Sequence, residues 1–380
     1  MNSITRSIKQ HGATKAIPKT KLALAVALAL SFPAQVLAAD LELPRIDVVG
    51  EGGEAIAKLP GSVAIITQEE LALTQPLSTQ DALKSVPGIV VREEEGYGFI
   101  PNIGMRGLNP NRSQKLLVLE DGVPVAPGLF LANESYYSPR IERMQSIEVL
   151  KGAAGLRYGP TTIGGVINYI TKDPEKGATV TAKAGSHGYG LIGLDAGGSS
   201  SSGNAIGGIS LVKSQGDGFR NNAFDLSDAV IKGGMAIGDN QWIGAKLTYY
   251  DNEINTSYVG LRPNEYKNDP TKNPAPNDYF LTDRKSFDIN HELAINDSVK
   301  LKTLLYWSQL TRDYWRREVQ ARSANGTTFV PCDGSAYCMN GNNRTFEMMG
   351  MDSRLNINHD SFGIKNEAEI GVRLHSDKLN

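Results

Sequence analysis

The chain has 380 residues and a formal net charge of −2, so it has no overall positive charge to attract nucleic acid. Its 40 glycines and 2 cysteines suit β-structure with many turns. The 5 histidines are scattered without metal-like spacing, and no nucleophile motif stands out. We therefore expect no resident metal or cofactor and no enzyme.

Residues 1–39 are typical of a secretory signal peptide. Lysines precede an apolar stretch from Leu22 to Phe32, and small residues follow it up to Ala39. This stretch is too short to span a bilayer, which disfavours the alternative of a membrane anchor. The sequence therefore predicts export, with cleavage after Ala38 or Ala39.

Residues 40–58 are predicted to form an extended, polar linker, because several prolines and glycines interrupt them. Inside this linker lies the short sequence IDVVG, residues 46–50. Its β-branched residues suit the addition of an edge strand to a partner protein, since backbone hydrogen bonds carry the affinity of such contacts.

Residues 59–176 are predicted to form a small, tightly wound α/β domain. A strand is expected at Val63–Ile66, and Thr67–Glu70 resembles a capping box that opens a helix. A second helix is expected from Thr79 to Val86, before Pro-Gly. The apolar runs Leu116–Leu119 and Ile147–Leu150 meet glycine turns and are typical of buried strands.

Charged residues crowd the motifs of this domain. An apolar core accepts so many charges only if they pair or face a polar wall. They are Arg106, Glu120, Asp121, Glu148 and Lys151. The loop 92–101 adds three consecutive glutamates, which are awkward neighbours for an anionic ligand.

Residues 177–380 alternate between apolar and polar or charged side chains along segments separated by turns, as a barrel wall between lipid and water requires. A soluble β-sandwich is the alternative, but it needs neither charges on one face of every strand nor a signal peptide. About nine strands are predicted, near 178–185, 188–198, 204–214, 224–236, 241–252, 285–295, 299–312, 345–357 and 363–376.

Two side-chain pairs stand out in the second half of the chain. Cys332 and Cys338 lie in CDGSAYC, and an exported chain with this spacing is expected to form a local disulfide. Zinc is the alternative, but two thiols alone are too few ligands. By strand alternation, Arg312 and Arg344 both point to the inside near the same end of neighbouring strands. Two converging guanidinium groups suit a polycarboxylate.

Four motifs follow one another in a fixed order over about 75 residues. They are I-x-M-R-G-L-N-P, L-E-D-G-V-P, I-E-V-L-K-G and R-Y-G-P-x-x-I-G-G-V-I-N. This order resembles the plug of TonB-dependent outer-membrane receptors, and the R-G-L-N-P spelling is most similar to the ferric citrate receptors. An unrelated α/β domain that shares all four by chance is the disfavoured alternative.

The resemblance implies a mainly β fold, in which an N-terminal α/β plug precedes an antiparallel transmembrane β-barrel. Barrels of this kind use about 22 strands, so the chain is expected to be the N-terminal half of a receptor. An open set of strands would leave unpaired backbone groups in hydrocarbon. A non-functional truncated receptor is therefore an open alternative.

The resemblance further implies plug-gated import of a ferric chelate, ferric citrate or a similar anionic siderophore, across the bacterial outer membrane. The partners would be TonB with its inner-membrane energising complex, and outer-membrane lipid. The iron would arrive inside the chelate, so no cofactor is implied. A different TonB-dependent cargo is the alternative, whereas the plug disfavours a passive pore.

The resemblance also assigns roles to particular residues. The chelate would contact Gln309, Arg312 and Arg344. A plug–barrel lock would use Arg106 and Lys151, with partner glutamates beyond Asn380; the alternative is pairing within the plug, through Glu120, Asp121 or Glu148. The TonB-binding box would be Ile46, Asp47, Val48, Val49 and Gly50.

Overall fold

The computed structural model describes most of the chain after the predicted linker. The described ranges are 61–126, 129–130, 134–256, 260–317, 320–322, 329–331, 339–361 and 363–380. The predicted signal peptide, the TonB box and the two cysteines lie outside these ranges. Within them, no helix is long and apolar enough to cross a membrane.

The plug domain is built on a five-stranded sheet of order β1-β6-β7-β4-β5, in which only β4 and β7 run parallel; β2 and β3 form a separate pair. Its elements are β1 (Ser62–Ile66), α1 (Gln68–Thr74), α2 (Thr79–Leu83), β2 (Ile89–Val91), β3 (Ile103–Met105), β4 (Leu116–Glu120), β5 (Val123–Pro124), β6 (Met144–Lys151) and β7 (Gly165–Thr171), with 3₁₀ turns at Asn111–Ser113, Ile141–Arg143 and Ala153–Tyr158.

The predicted capping box at the start of the first helix is confirmed. The hydroxyl of Thr67 accepts a hydrogen bond from the Glu70 amide at 3.2 Å, and the Glu70 carboxylate accepts one from the Thr67 amide at 2.9 Å. This reciprocal cap fixes the start of α1. Both predicted apolar runs are strands, β4 and β6. Ile147 on β6 and Leu119 on β4 are fully buried and lie in the plug core.

The wall is a nine-stranded antiparallel sheet, which confirms the predicted number of strands. The strands are β8 (Gly177–Ala184), β9 (Gly190–Ser199), β10 (Ala205–Gly216), β11 (Phe224–Ile237), β12 (Gln241–Ile254), β13 (Tyr279–Asn296), β14 (Val299–Arg317), β17 (Met339–Ser361) and β18 (Ile364–Leu379). Smaller elements lie between them, namely α3 (Pro263–Asn268), β15 (Gln320–Arg322) and β16 (Phe329–Pro331). β13, β14 and β17 extend about six residues further than predicted at one end, because ladder pairing continues beyond the alternating segment.

The two faces of the wall differ as the alternation predicts. On β12, Leu247 is 51% exposed on the outer face, whereas its neighbour Lys246 is 4% exposed on the inner face. Tyr250 lies on the same inner face. Its ring packs edge-on against the ring of Tyr137 in the plug, with 4.7 Å between the ring centres. Because the inner face is buried against the plug, its charged side chains must find partners there.

Candidate functional site

Arg312 on β14 and Arg344 on β17 are direct partners across the antiparallel ladder, so both side chains lie on the inner face. Arg312 is 3% exposed and donates to the backbone oxygen of Asn342 at 3.1 Å. Its guanidinium carbon lies 4.4 Å from the centre of the Tyr136 ring, a cation–π distance. Arg344 is half-buried, and its guanidinium has no hydrogen bond or ion pair within the described ranges.

Gln309 does not join these two arginines. Its ladder partners are Lys285 and Glu347, and it shares the outer face of β14 with Trp307. Gln309 lies three positions before Arg312 in the same strand. Two strand residues that differ by an odd number of positions point to opposite faces. The prediction of a cargo contact by Gln309 is therefore inconsistent with its orientation, because the motif spacing was followed without the strand alternation.

The three consecutive glutamates of the plug loop do not present free negative charge. Glu93 pairs with the half-exposed Lys84. Glu94 accepts two hydrogen bonds from Arg112, at 2.6 and 2.9 Å. Glu95 is buried, and burial raises its pKa to about 7 despite hydrogen bonds from two backbone amides. The loop therefore repels an anion less than its sequence suggests.

Tyr136 connects this loop to the wall. Its ring lies 5.8 Å from the guanidinium carbon of Arg112 in the plug and 4.4 Å from that of Arg312 in the wall. The Tyr136 hydroxyl donates to Glu134 at 2.6 Å. We call Arg112, Arg312 and Arg344 the arginine group, because Tyr136 and the β14–β17 ladder bring them together.

A second concentration of charge lies deeper between plug and wall. Glu120 at the end of β4 accepts a hydrogen bond from Arg143 at 2.7 Å, and Asp121 accepts one from Lys246 of the wall at 2.6 Å. Arg143 also contacts Asp228 of β11 at 3.2 Å. We call this set the central charge network; its members are Glu120, Asp121 and Arg143 in the plug, and Asp228, Lys246, Arg284 and Asp288 in the wall.

The network keeps its two plug carboxylates, Glu120 and Asp121, ionised although they are buried. Burial alone would raise the pKa of Glu120, but the charges of Arg143 and Lys246 outweigh it and lower the pKa to about 2. The pKa of Asp121 is lowered too, because Lys246 overcomes its burial. The sequence predicts that Glu120 and Asp121 require partners, but it does not show which residues of the wall supply them.

Further contacts tie the plug to the wall. The ammonium group of Lys232 on β11 donates a hydrogen bond to the carboxylate of Asp173 at 2.6 Å. The guanidinium group of Arg373 on β18 donates to the backbone oxygen of Tyr158 at 2.8 Å. The amide of Phe130 donates to Asp377 at 2.7 Å. The plug is thus held along several wall strands by charged side chains.

The two residues predicted for the plug–barrel lock donate to plug carbonyls in this structure. Arg106, which is exposed, donates to the Ile163 oxygen at 2.6 Å, and Lys151 donates to the Pro87 oxygen at 2.8 Å. Glu120 and Asp121, two candidate internal partners, are instead held by the central charge network. Partners beyond Asn380 stay a prediction.

In the described ranges, no group of three or more His, Cys, Asp or Glu side chains is arranged to hold a metal ion. The site instead offers guanidinium donors and one aromatic ring. Such donors bind anionic groups by charge-assisted hydrogen bonds. Arginine donors in this arrangement have the chemistry to recognise an anionic group.

Comparison with known proteins gives matches in family and in fold. The family TonB-dependent Receptor Plug Domain matches residues 55–166. The vitamin B12 transporter BtuB of Photobacterium profundum is 33% identical over 248 residues, 61% of this chain and 40% of that protein. An iron-regulated outer membrane virulence protein of Vibrio cholerae is 33% identical over 168 residues, 41% of this chain and 24% of that protein.

Solved structures show the same fold. The unliganded ferric citrate transporter FecA superimposes with a TM-score of 0.75 at 21% identity, covering 89% of this chain and 50% of that one. The ferric-catecholate import receptor Fiu of E. coli K12 gives a TM-score of 0.67 at 17% identity, covering 85% and 50%. The chain thus spans half or less of each protein compared here. Residues 55–166 match the plug domain of TonB-dependent receptors, and the plug together with the nine described wall strands has the fold of the two solved receptors.

Proposed function

We propose that this chain is part of a TonB-dependent importer whose cargo is an anionic ferric chelate, with ferric citrate as the first candidate. The observation that carries the proposal is the cross-strand pair of Arg312 and Arg344 on the inner face of the wall. Two adjacent planar guanidinium groups match a polycarboxylate, since each fork can donate two parallel hydrogen bonds to one carboxylate.

The surroundings of the pair support an anionic cargo. Arg344 offers donors that no described residue uses, and Arg312 lies beside an aromatic ring. Glu94 of the plug loop is neutralised by Arg112. Arg312 and Arg344 are adjacent like charges, and an anionic cargo would relieve their mutual repulsion.

The test is ligand binding by the full-length receptor with both arginines replaced by alanine. Each charge-assisted hydrogen bond contributes very roughly 1.5–3 kcal/mol, so Arg312→Ala with Arg344→Ala should weaken ferric citrate binding more than about tenfold. Isothermal calorimetry with folded protein measures this directly. Unchanged affinity would show that the two arginines do not bind the chelate, and binding of cobalamin instead of ferric citrate would favour a vitamin B12 cargo.

A matched control separates a specific site from general attraction of anions. Arg220 and Arg262 are exposed in loops of the wall, so replacing both by alanine removes the same charge. This control should change the affinity less than about twofold, because exposed charges are screened by salt. An equal loss in both double variants would mean that the arginines act only through their net charge.

The partner TonB is proposed on the box Ile46–Gly50. Val48→Pro removes a backbone donor from the docking strand. In cells that carry the full-length receptor, bound ferric citrate should be unaffected while its uptake stops. Val48→Ala, which keeps the amide, is the control. Continued uptake with Val48→Pro would show that another segment binds TonB.

A further inference from the structure

We infer that Arg112 of the plug is a third cargo-binding arginine, and that Glu94 occupies it as an internal anion that the cargo must displace. The inference rests on the proposed function, because it deepens the same site. It makes Glu94 a residue that sets specificity: the receptor would favour chelates with several negative charges over neutral ones.

The geometry of the pair is that of ligand recognition. Nη1 of Arg112 donates to one oxygen of Glu94 at 2.6 Å, and Nη2 donates to the other at 2.9 Å. Both side chains are largely buried, at 5% and 12% exposure. A two-pronged pairing of this kind is how arginine binds a free carboxylate. Glu94 therefore occupies the position that a carboxylate of the cargo would take on Arg112.

The location of Arg112 links it to the wall arginines. The ring of Tyr136 lies within cation–π distance of both Arg112 and Arg312, and Arg312 is the ladder partner of Arg344. A chelate with several carboxylates could thus contact guanidinium groups from the plug and from the wall at the same time. Contacts to both parts would bind more tightly than contacts to the wall alone, because the second contact is intramolecular.

The structure also provides a place for Glu94 after exchange. The side-chain amide of Asn102 donates to Glu94 at 3.0 Å, and the Asn102 oxygen accepts from the backbone amide of Arg112 at 2.9 Å. If a cargo carboxylate replaced Glu94 on Arg112, Glu94 would keep the Asn102 donor. Exchange of one carboxylate for another leaves Arg112 paired, whereas Glu94 loses its cation and keeps one neutral donor. That loss is the cost that the cargo must outweigh.

Exchange has a selective consequence. A neutral chelate gains nothing on Arg112, because it cannot replace the charge of Glu94. A chelate with several carboxylates gains the Arg112 contact and loses only the Glu94 pair. Specificity of this form arises from a built-in competitor rather than from added attraction.

The test compares Glu94→Gln with Glu93→Gln in the full-length receptor, using ferric citrate and a neutral ferric trihydroxamate as probes. Glu93 is the matched control, because it is the adjacent glutamate and pairs with half-exposed Lys84. Glu94→Gln should tighten ferric citrate binding about three- to tenfold without tightening hydroxamate binding, whereas Glu93→Gln should change neither by more than about twofold.

A double variant tests whether the gain acts through Arg112. Replacing Arg112 alone would leave Glu94 buried without its cation, so Arg112→Gln is combined with Glu94→Gln. In this background the gain of Glu94→Gln should be lost, and ferric citrate should bind no more tightly than to the wild type. A gain that persists without Arg112 would overturn the inference.

The remaining outcomes separate this inference from the proposed function. If Arg312→Ala weakens ferric citrate binding but Glu94→Gln equals Glu93→Gln, the inference is wrong and the proposed function stands. If the wild-type receptor does not bind ferric citrate at all, both are overturned. Equal tightening of the neutral hydroxamate would also overturn the inference, because it would show a general opening of the loop rather than anion exchange.

Discussion

The central charge network and the arginine group both lie between plug and wall, but they are composed differently. In the network, each plug carboxylate is held by a cation of the wall, as Asp121 is by Lys246. In the arginine group, Arg112 is paired with Glu94, whereas Arg344 has no partner in the described ranges. A buried network of paired charges makes an anchor, whereas a cation without a partner offers a place for an anion.

The difference also assigns tasks to the two regions. Removing one member of a buried network of paired charges leaves an uncompensated charge, so its members should matter for stability. Removing Arg344, which has no partner in the described ranges, relieves its repulsion with Arg312, so Arg344 should matter for binding more than for stability. The assignment would be wrong if variants of the central charge network changed cargo binding but not stability, or if variants of Arg344 changed stability but not binding.

The largest effect is expected from Lys246→Met in the full-length receptor. This change leaves Asp121 without its cation and weakens the pairing of Glu120 and Asp288. Breaking a buried ion pair from one side costs roughly 3–5 kcal/mol. The free energy of unfolding should fall by this amount. It can be measured by unfolding the receptor with denaturant and using trypsin cleavage within the plug as the signal.

The control for Lys246→Met is Lys213→Met, on the neighbouring part of the wall. Lys213 pairs with Asp225, but these side chains are 36% and 45% exposed. An exposed pair contributes about 0–1 kcal/mol, so this variant should be nearly neutral. Adding Asp121→Asn to Lys246→Met should recover part of the loss. Equal stability of the two lysine variants would show that the network does not anchor the plug.

A smaller, pH-dependent effect is expected at Glu95, which lies in the loop of the arginine group. Its pKa is raised by burial from 4.5 to about 7. Between these values the folded state holds a proton that the unfolded state has lost, so the loop loses stability as the pH rises. With 1.36 kcal/mol per pKa unit, the loss is of the order of 1–3 kcal/mol and is complete above about pH 7.

Glu95→Gln should remove this pH dependence, because glutamine keeps the oxygen that accepts from the Phe99 and Ile100 amides but does not titrate. Hydrogen exchange of these two amides, corrected for intrinsic rates, measures the local stability from pH 4.5 to 8. Glu93→Gln, an exposed neighbour, should keep the wild-type profile. A flat profile in the wild type would mean that Glu95 is ionised throughout.

Periodicity predicted the fold well, because each wall strand shows its faces in its own sequence. Leu247 and Lys246 differ in polarity, and the alternation alone assigns one to the outside and one to the inside. The cap at Thr67 was also predictable, since its partner Glu70 is three residues away. Local rules suffice where both partners lie within one element.

The candidate site was less predictable, because its partners come from different elements. The sequence showed that Glu120 needs a cation, but Arg143 and Lys246 are 23 and 126 residues away. Strand parity places Lys246 inside, yet it does not say which plug motif faces it. Gln309 is a different case, because both relevant signals lie within one strand. The motif predicted a cargo contact, whereas the alternation of strand residues already placed Gln309 on the outer face.

The smallest effect is expected from replacing Arg106 and Lys151. This double variant tests whether the two residues provide a further anchor for the plug. In the described ranges these cations donate to the carbonyls of Ile163 and Pro87, which lie within the plug. If these are their only partners, Arg106→Ala with Lys151→Met should lower the protection of residues 102–171 by about 1–2 kcal/mol, the contribution of two such hydrogen bonds.

The proposed lock predicts a larger change, because glutamates beyond Asn380 would then lose both cations. Hydrogen exchange of residues 102–171 in the full-length receptor decides between the two, with Lys115→Met as the control, since Lys115 is an exposed lysine of the plug. A loss of more than about 3 kcal/mol would exceed two hydrogen bonds and support the lock, because buried charges would be left unpaired. A loss no greater than that of Lys115→Met would mean that Arg106 and Lys151 do not help to hold the plug.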